Sequence, residues 1–332
     1  MIAFIRAFLL SGVCAVLALQ APSPASAQSP APDYPSRPIK VVVPFPAGGP
    51  TDGAARLIAD RLSAVLGQTI VIENRPGGAG GTVGVKSVAS ADPDGYTILL
   101  TPGGPLTSGP AIHANIGYDP GKVFTPVGLL TESPQIISVH PDVPVKTLPE
   151  LVAYAKANPG KLTWGSQGFG TSPHLLAEMF KLETGLNIVH VPYRGTAPVL
   201  AAILAGEIQI VADASTTSLP HIQAGKLRPL AVPMAQRFSK LSDVPTTAEV
   251  GYPKLLAPFW LGVVAPAGTL HDIVNKLNAA FRDSLAPPET RARLANLGAE
   301  IRTGTPAAFG KMLADELIQW TAVAKAANIR VD

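Results

Sequence analysis

The sequence predicts an α/β fold of two domains, in which mostly parallel sheets are flanked by helices. Short apolar runs alternate with amphipathic segments and short turns, which is the pattern of parallel strands joined by crossover helices. The chain has 332 residues, more than the roughly 100–200 residues typical of one domain. Apolar residues make up 47% of it, which is enough for two hydrophobic cores.

The first block alternates strand and helix from residue 39 onward. One face of its first helix is apolar, and the turn Asp92-Pro93-Asp94-Gly95 precedes its third strand. We predict strands at 39–44, 69–73 and 96–101, and helices at 54–66 and 82–90.

The second block begins near residue 135. Thr147, with Glu150 three residues later, forms the capping-box pattern that starts a helix. We predict strands at 136–139, 162–165, 188–191 and 208–212, and helices at 148–157, 174–183 and 197–205. A late strand at 259–265 is followed by helices at 270–285, 289–297 and 306–328. The last of these carries an apolar stripe, which we expect to pack on the first sheet.

The N-terminal residues have the pattern of a secretory signal peptide. A charged start is followed by an apolar run too short to span a membrane, and by the cleavage motif Ala25-Ser26-Ala27. We therefore predict a signal peptide at 1–27, cleaved after Ala27, and a loose leader at 28–33. Cys14, the only cysteine, is removed with the signal, so the exported chain has no disulfide.

Composition and spacing argue against several classes of function. Charged residues are 15% of the chain and the formal charge is +3, without a Lys/Arg cluster, so nucleic acid is not an expected partner. The six histidines lack the spacing of known metal motifs, and no metal is expected. No segment matches a cofactor motif, so we expect no cofactor.

A glycine loop, VPFPAGGPTDG, joins the first strand to the first helix. It has no G-K-[ST], and the glycine-rich loop at 75–84 fails the dinucleotide fingerprint. Free N–H groups at a helix N-terminus still favour an anion near Gly48 and Gly49. Thr51 is the predicted N-cap. Asp52 is awkward beside an anion, and we expect it to cap the helix or brace the loop.

A second loop, at 165–174, also follows a strand and opens a helix. It supplies three glycines, three hydroxyl groups and His174, so it can form a second anion cradle. An exported hydrolase using Ser166 and His174 is the competing hypothesis, although closeness in sequence is no evidence for a triad. For His174 alone, capping or packing is an equally good interpretation.

Two charged residues follow strands of the second block. Arg194, in the stretch Val-Pro-Tyr-Arg-Gly, either pairs with an anionic ligand or lies on the surface. Asp213, at the end of the strand at 208–212, either meets a ligand cation or caps a helix. The sequence leaves both alternatives open.

The sequence resembles the Bug proteins, also called the TctC family, which are periplasmic receptors of tripartite tricarboxylate transporters. The order and spacing of eight stretches carry this resemblance along nearly the whole chain after the leader. They are YPSRPIKVVVPFPAGGPTD, VIENRPGGAGG, DPDGYTILL, AKANPGKLTWGSQGFGTSPHLLAEMF, HVPYRG, GKLRPLAV, VPTTAEVGYP and APFWLGVVAPAGT.

The resemblance implies a two-lobed periplasmic binding protein of the Venus flytrap type, in which the chain crosses twice between lobes. Domain 1 is expected at 34–134 with 256–332, and domain 2 at 135–255. A small mono- or dicarboxylate is expected between loops of both lobes. The implied ligand-binding residues are Phe45, Ala47, Gly48, Gly49, Thr51, Asp52, Gly103, Gly104, Ser166, Phe169, Gly170, Thr171, His174, Tyr193, Arg194 and Asp213. Phe169 stands where relatives often carry a polar residue, which favours an apolar or aromatic acid.

The resemblance also implies a monomeric receptor without enzymatic activity, and membrane permease subunits as partners. A ligand-sensing module for a sensor kinase is the alternative within the same family. The exported Ser–His hydrolase is the alternative outside it.

Overall fold

The computed structural model describes residues 34–330 apart from Arg194 and Leu297. The predicted signal peptide, its cleavage site and the leader to residue 33 lie outside the described residues. In chain order the helices and strands are β1 (Ile39–Val43), α1 (Pro50–Leu66), β2 (Ile70–Asn74), α2 (Thr82–Ala89), β3 (Thr97–Pro102), α3 (Ser108–Ile112), α4 (Pro120–Val123), β4 (Phe124–Ser133), β5 (Gln135–Val139), α5 (Leu148–Ala157), β6 (Thr163–Ser166), α6 (Ser172–Thr184), β7 (Val189–Pro192), α7 (Thr196–Leu204), β8 (Ile210–Ala214), α8 (Ser215–Gln223), β9 (Arg228–Ala231), β10 (Phe259–Pro266), α9 (His271–Leu285), α10 (Pro288–Asn296), β11 (Glu300–Ile301) and α11 (Pro306–Ala326).

The described strands form two sheets, which confirms the α/β class. The first sheet has the strand order β11-β4-β10-β3-β1-β2, and the second has the order β7-β6-β8-β5-β9. The chain leaves the first sheet at Ser133, crosses at Pro134 and enters the second sheet at Gln135. It returns after β9 to form β10, between β3 and β4.

Both sheets are mixed, whereas we predicted mostly parallel sheets. Parallel pairing joins β1 to β2 and β3, and joins β6 to β7 and β8. Strand β10 is antiparallel to both of its neighbours, and so is β5. These two strands receive the chain from the other sheet. Each therefore starts at the edge of its own sheet where the parallel strands end, which are β1 and β3 in the first sheet and β6 and β8 in the second. Each must run antiparallel to those strands.

The last helix, α11, contributes to the cores of both sheets. Phe309 packs with Val42, Leu99 and Trp260 on the first sheet. Trp320 and Val323 belong instead to the core of the second sheet. The expectation that the whole stripe packs on the first sheet was therefore wrong for its C-terminal half.

Several elements differ from the prediction. The structure adds β4, β9 and β11, and the helices α3, α4 and α8. Helix α1 begins at Pro50 with Gly49 as its N-cap, so the prediction of Thr51 as N-cap was wrong. Among the described residues, no helix combines the length and apolar character needed to cross a membrane.

Candidate functional site

A cavity of about 890 Å³ lies where loops of the two sheets meet. The loops that follow β1, β3, β6 and β8 contribute to its wall, together with the first residues of β5 and β10. The carboxyl ends of parallel strands are the usual location of ligand sites in α/β sheets. The sheet topology therefore places this cavity at the expected edge.

The loop after β1 is shaped by a glycine in the left-handed region. Gly48 has φ of +82°, a conformation that costs other residues about 1–2 kcal/mol. It lets the chain turn from the strand into α1, and both Gly48 and Gly49 line the cavity. The N-cap residue of α1 is Gly49, which has no side chain, so no side-chain hydrogen bond caps the first turn of this helix.

Asp52 braces this loop from behind. The residue is 3% exposed, and its carboxylate accepts hydrogen bonds from the Gly48 N–H at 2.8 Å and the Asn74 amide at 3.0 Å. Arg56 completes the set, and its hydrogen bond to Asp52 is the main cause of a lowered pKa for that carboxyl. Asn74 also donates to the Phe45 carbonyl, so the network holds both ends of the loop. Asp52 does not line the cavity, in agreement with the bracing role expected from sequence.

The loop after β6 faces the same cavity through Phe169, Gly170 and Thr171. His174 is 2% exposed, and its Nδ1 accepts a hydrogen bond from the Gly170 N–H at 2.9 Å. Its ring stacks on that of His190 at a centroid distance of 3.8 Å, and the tilted ring of Phe169 lies 4.6 Å away. His174 thus supports the loop from within the core.

Ser166 is buried and does not line the cavity. Its hydroxyl lies 2.7 Å from Nε2 of His190, and it also donates to the Gly168 carbonyl. Burial lowers the pKa of His190 to about 4, so this imidazole is neutral near pH 7. The serine therefore pairs with His190, not with His174, and its contacts stabilise the loop.

His174, Glu178 and His190 bring possible metal-ligand atoms within 4.8 Å of one another. The two imidazole rings are only 18° from parallel, so lone pairs in their ring planes do not converge on one point. Glu178 is also held by Lys181 at 2.7 Å. This geometry suits a packed hydrogen-bonded cluster better than the tetrahedral arrangement of a zinc site.

Asp213 is 1% exposed and lines the cavity at the end of β8. It accepts hydrogen bonds from the Gln167 amide at 2.6 Å and from the Thr217 hydroxyl. Burial raises the pKa of the Asp213 carboxyl, while these hydrogen bonds act in the opposite direction. Asp213 therefore ties the loop after β6 to the first turn of α8.

Two glutamine side chains that line the cavity have carbonyl oxygens without a partner. The Gln135 amide donates to the Ala257 carbonyl and to Ser172, and the Gln167 amide donates to Asp213. Because Ala257 and Asp213 offer only acceptors, these contacts fix which end of each amide faces them. The Oε1 atoms of Gln135 and Gln167 are thus left buried and unpaired.

A third part of the wall combines the loop after β3 with two tryptophans. Gly103 lies against the Trp260 indole, and a Cβ at this position would approach the ring to 2.8 Å. Glu316 of α11 accepts N–H bonds from Trp260 at 2.7 Å and from Trp320 at 2.9 Å. All three of these side chains line the cavity.

Within residues 34–330, the helices of at least eight residues that begin at the cavity wall without a side-chain cap are α1, α6, α7 and α8. The five-residue helix α3 also begins there uncapped. In contrast, α4, α5 and α11 are capped by Asp119, Thr147 and Thr305, none of which lines the cavity. Helices α2 and α9 are uncapped at other places. Each uncapped N-terminus presents free N–H groups and about half a positive charge. Four of them around one cavity make it suitable for an anion.

The structure brings nine of the predicted site residues to the cavity wall. They are Phe45, Gly48, Gly49, Gly103, Gly104, Phe169, Gly170, Thr171 and Asp213. The others described lie outside the wall: Ala47, Thr51, Asp52, Ser166, His174 and Tyr193. Thr51 is buried in the first turn of α1, and the Tyr193 N–H donates to the Ser166 carbonyl. Arg194 lies outside the described residues.

Sequence reasoning missed Trp260, Glu316 and Trp320 as cavity residues. A signal for Glu316 was present, because it falls on the apolar stripe of α11 at helical spacing from Met312, Leu313 and Trp320. An acidic residue on a buried helix face requires hydrogen-bond donors nearby. Trp260 gives no such signal, because it lies in a continuous apolar run that predicts a buried strand.

The fold has two mixed β-sheets flanked by helices, and a cavity suited to an anion lies between loops of the two sheets. These features define a two-lobed binding protein. A family profile described as "Tripartite tricarboxylate transporter family receptor" matches residues 54–329. Protein BugT of Bordetella pertussis is 36% identical over 293 residues, covering 88% of this chain and 90% of that protein. The chain belongs to this receptor family.

Solved structures agree with this assignment. The Rhodopseudomonas palustris protein Rpa4515, solved with adipate, has a TM-score of 0.73 and 38% identity, covering 90% of this chain and 99% of that one. MatC (Rpa3494) of the same organism, solved with malate, has a TM-score of 0.69 and 35% identity, covering 87% and 99%.

Proposed function

We propose that this chain is a periplasmic receptor that binds a small organic carboxylate in the cavity and delivers it to a membrane permease of the tripartite tricarboxylate type. The observation that carries the proposal is the group of four uncapped helix N-termini around the cavity. Their N–H groups and dipoles favour a negative charge. The similar proteins solved with adipate and malate support a carboxylate as that charge.

The glycine loop and the loop after β6 hold the carboxylate from opposite sheets. Gly49 and Gly170 bring backbone close to the ligand, and Thr171 adds a hydroxyl group. Asp52 and His174 act from behind, because each fixes a glycine N–H and hence the shape of its loop. Closure of the lobes excludes water from the cavity, and the lower local dielectric strengthens the hydrogen bonds to the ligand.

Closure requires the lobes to move as units. We propose domain 1 at 34–134 with 256–332, domain 2 at 135–255, and a hinge at the two chain crossings. The end of α11, from Trp320 onward, packs in the core of the second sheet and moves with domain 2. The receptor acts as a monomer without catalysis. The hydrolase is disfavoured because Ser166 is buried, does not line the cavity and is bonded to His190 and Gly168.

Thermal unfolding with a panel of mono- and dicarboxylates tests the proposal. A ligand at 100 times its Kd stabilises the folded state by about 2.7 kcal/mol. For a chain of this length, that raises the melting temperature by about 4 °C. If no carboxylate stabilises the protein while an ester is hydrolysed, the receptor proposal fails. Intact mass of the exported protein tests cleavage after Ala27.

A further inference from the structure

Glu316 presents an unusual group to the cavity, a carboxylate held by two buried indoles. Its Oε2 accepts the Trp260 N–H at 2.7 Å, and its Oε1 accepts the Trp320 N–H at 2.9 Å. Both indoles are 1% exposed. Tryptophan can only donate at this nitrogen, so Glu316 is fixed in place as an acceptor.

The carboxylate has about four acceptor positions, and the N–H groups of Trp260 and Trp320 fill two of them. Because Glu316 itself lines the cavity, the remaining positions are available to a ligand. Burial raises the pKa of Glu316, while the hydrogen bonds from the two indoles act in the opposite direction. A ligand group that donates a hydrogen bond therefore suits this end of the cavity.

This end is remote from the glycine loop. Trp260 is on β10, and β3 separates β10 from β1, where the glycine loop starts. Two strand spacings correspond to roughly 10 Å. A ligand carboxylate at the glycine loop would thus place the opposite end of an extended acid near Glu316.

The charges of the wall disfavour a second carboxylate there. Asp213 and Glu316 both line the cavity, whereas none of the lysine and arginine side chains described between residues 34 and 330 does. The imidazole of His113 is the basic group of the described wall. A dicarboxylate would bring its second negative charge toward Glu316 without a described cation to offset it.

We propose that Glu316 determines specificity by accepting a hydrogen bond from a hydroxyl or ammonium group at the end of the ligand remote from its carboxylate. The receptor then takes hydroxy- or amino-monocarboxylates in preference to dicarboxylates of the same length. This inference rests on the proposed carboxylate-binding function.

Calorimetric titration with four acids of equal chain length tests the inference. The probes are 6-hydroxyhexanoate, 6-aminohexanoate, hexanoate and adipate. We expect the hydroxy or the amino acid to bind at least tenfold more tightly than adipate. If adipate binds as tightly as 6-hydroxyhexanoate and 6-aminohexanoate, the inference is wrong, but the carboxylate-binding function stays intact. If none of these acids and no acid of the wider panel binds, the function itself is wrong.

The Glu316→Gln variant assigns the preference to this residue. We expect its affinity for the preferred acid to fall at least fivefold relative to hexanoate. The matched control Asp315→Asn alters an exposed neighbour on the same helix and should keep the wild-type preference. An unchanged preference in a folded Glu316→Gln variant would refute the assignment. If that variant does not fold, the wild-type ligand series decides.

Discussion

Replacing Asp52 by alanine tests whether the glycine loop is held by its brace. The substitution removes the acceptor for the Gly48 N–H and for the Asn74 amide. Hydrogen bonds to a charged group contribute about 1.5–3 kcal/mol each. Gly48 is exposed, so water replaces part of the hydrogen bond that its N–H loses. The ion pair with the half-exposed Arg56 adds only about 0–1 kcal/mol to the loss. We expect a net loss of about 2–3 kcal/mol in the free energy of unfolding.

The assay is thermal unfolding together with carboxylate titration. A loss of that size lowers the melting temperature by about 4 °C for a chain of this length. Ordering a released loop costs about 1–2 kcal/mol per residue, so affinity should fall by on the order of tenfold. Asp60→Ala, on the exposed face of the same helix, is the control and should change stability by less than about 0.5 kcal/mol.

The stabilisation should also depend on pH in one direction. The pKa of Asp52 is lowered in the folded protein, chiefly by Arg56. Its contribution is therefore complete above the ordinary aspartate pKa of about 3.9 and is lost as pH falls through the lower folded value. The gap between wild type and Asp52→Ala should stay constant from about pH 7 to 5 and shrink below about pH 4. Unchanged affinity, or a gap that widens in acid, would refute the reasoning.

Four further substitutions test other parts of the structure. Gly48→Ala and Gly225→Ala both force alanine into a left-handed backbone conformation, with open space around the added methyl group. Each should therefore lower the free energy of unfolding by about 1–2 kcal/mol. Only Gly48→Ala should also weaken carboxylate binding, so Gly225→Ala is its control. Gly103→Ala should cost about 1–3 kcal/mol by urea unfolding because its methyl overlaps Trp260, and a neutral result would mean that the indole moves freely. Thr305→Ala removes the cap of α11 and should cost about 1 kcal/mol; no change in stability would count against the cap.

The alternating elements were predictable because their apolar periodicity is local. Strands β1 and β3 and helix α5, with its Thr147 cap, follow directly from neighbouring residues. Helix α8 was missed because it is rich in serine and threonine and contains Pro220, all of which oppose helix formation.

The site was predictable only in part. Glycine and hydroxyl patterns identified the loops after β1 and β6, which the structure brings to one cavity. The error at Thr51 arose because Gly49 caps α1 through backbone conformation alone, which leaves no side-chain signal. Glu316 meets Trp260 across 56 residues of sequence, and such a contact depends on how β10 enters the first sheet.

Because α11 supplies side chains to both cores, the order of synthesis restricts folding. All strands of the second sheet are complete by Ala231, yet its core also contains Trp320, Val323 and Ile329. Contacts so distant in sequence form late and slow the completion of a fold. The second core can therefore not close before the last turns of α11 are made, and a chain ending at residue 316 should have every strand but an open second core.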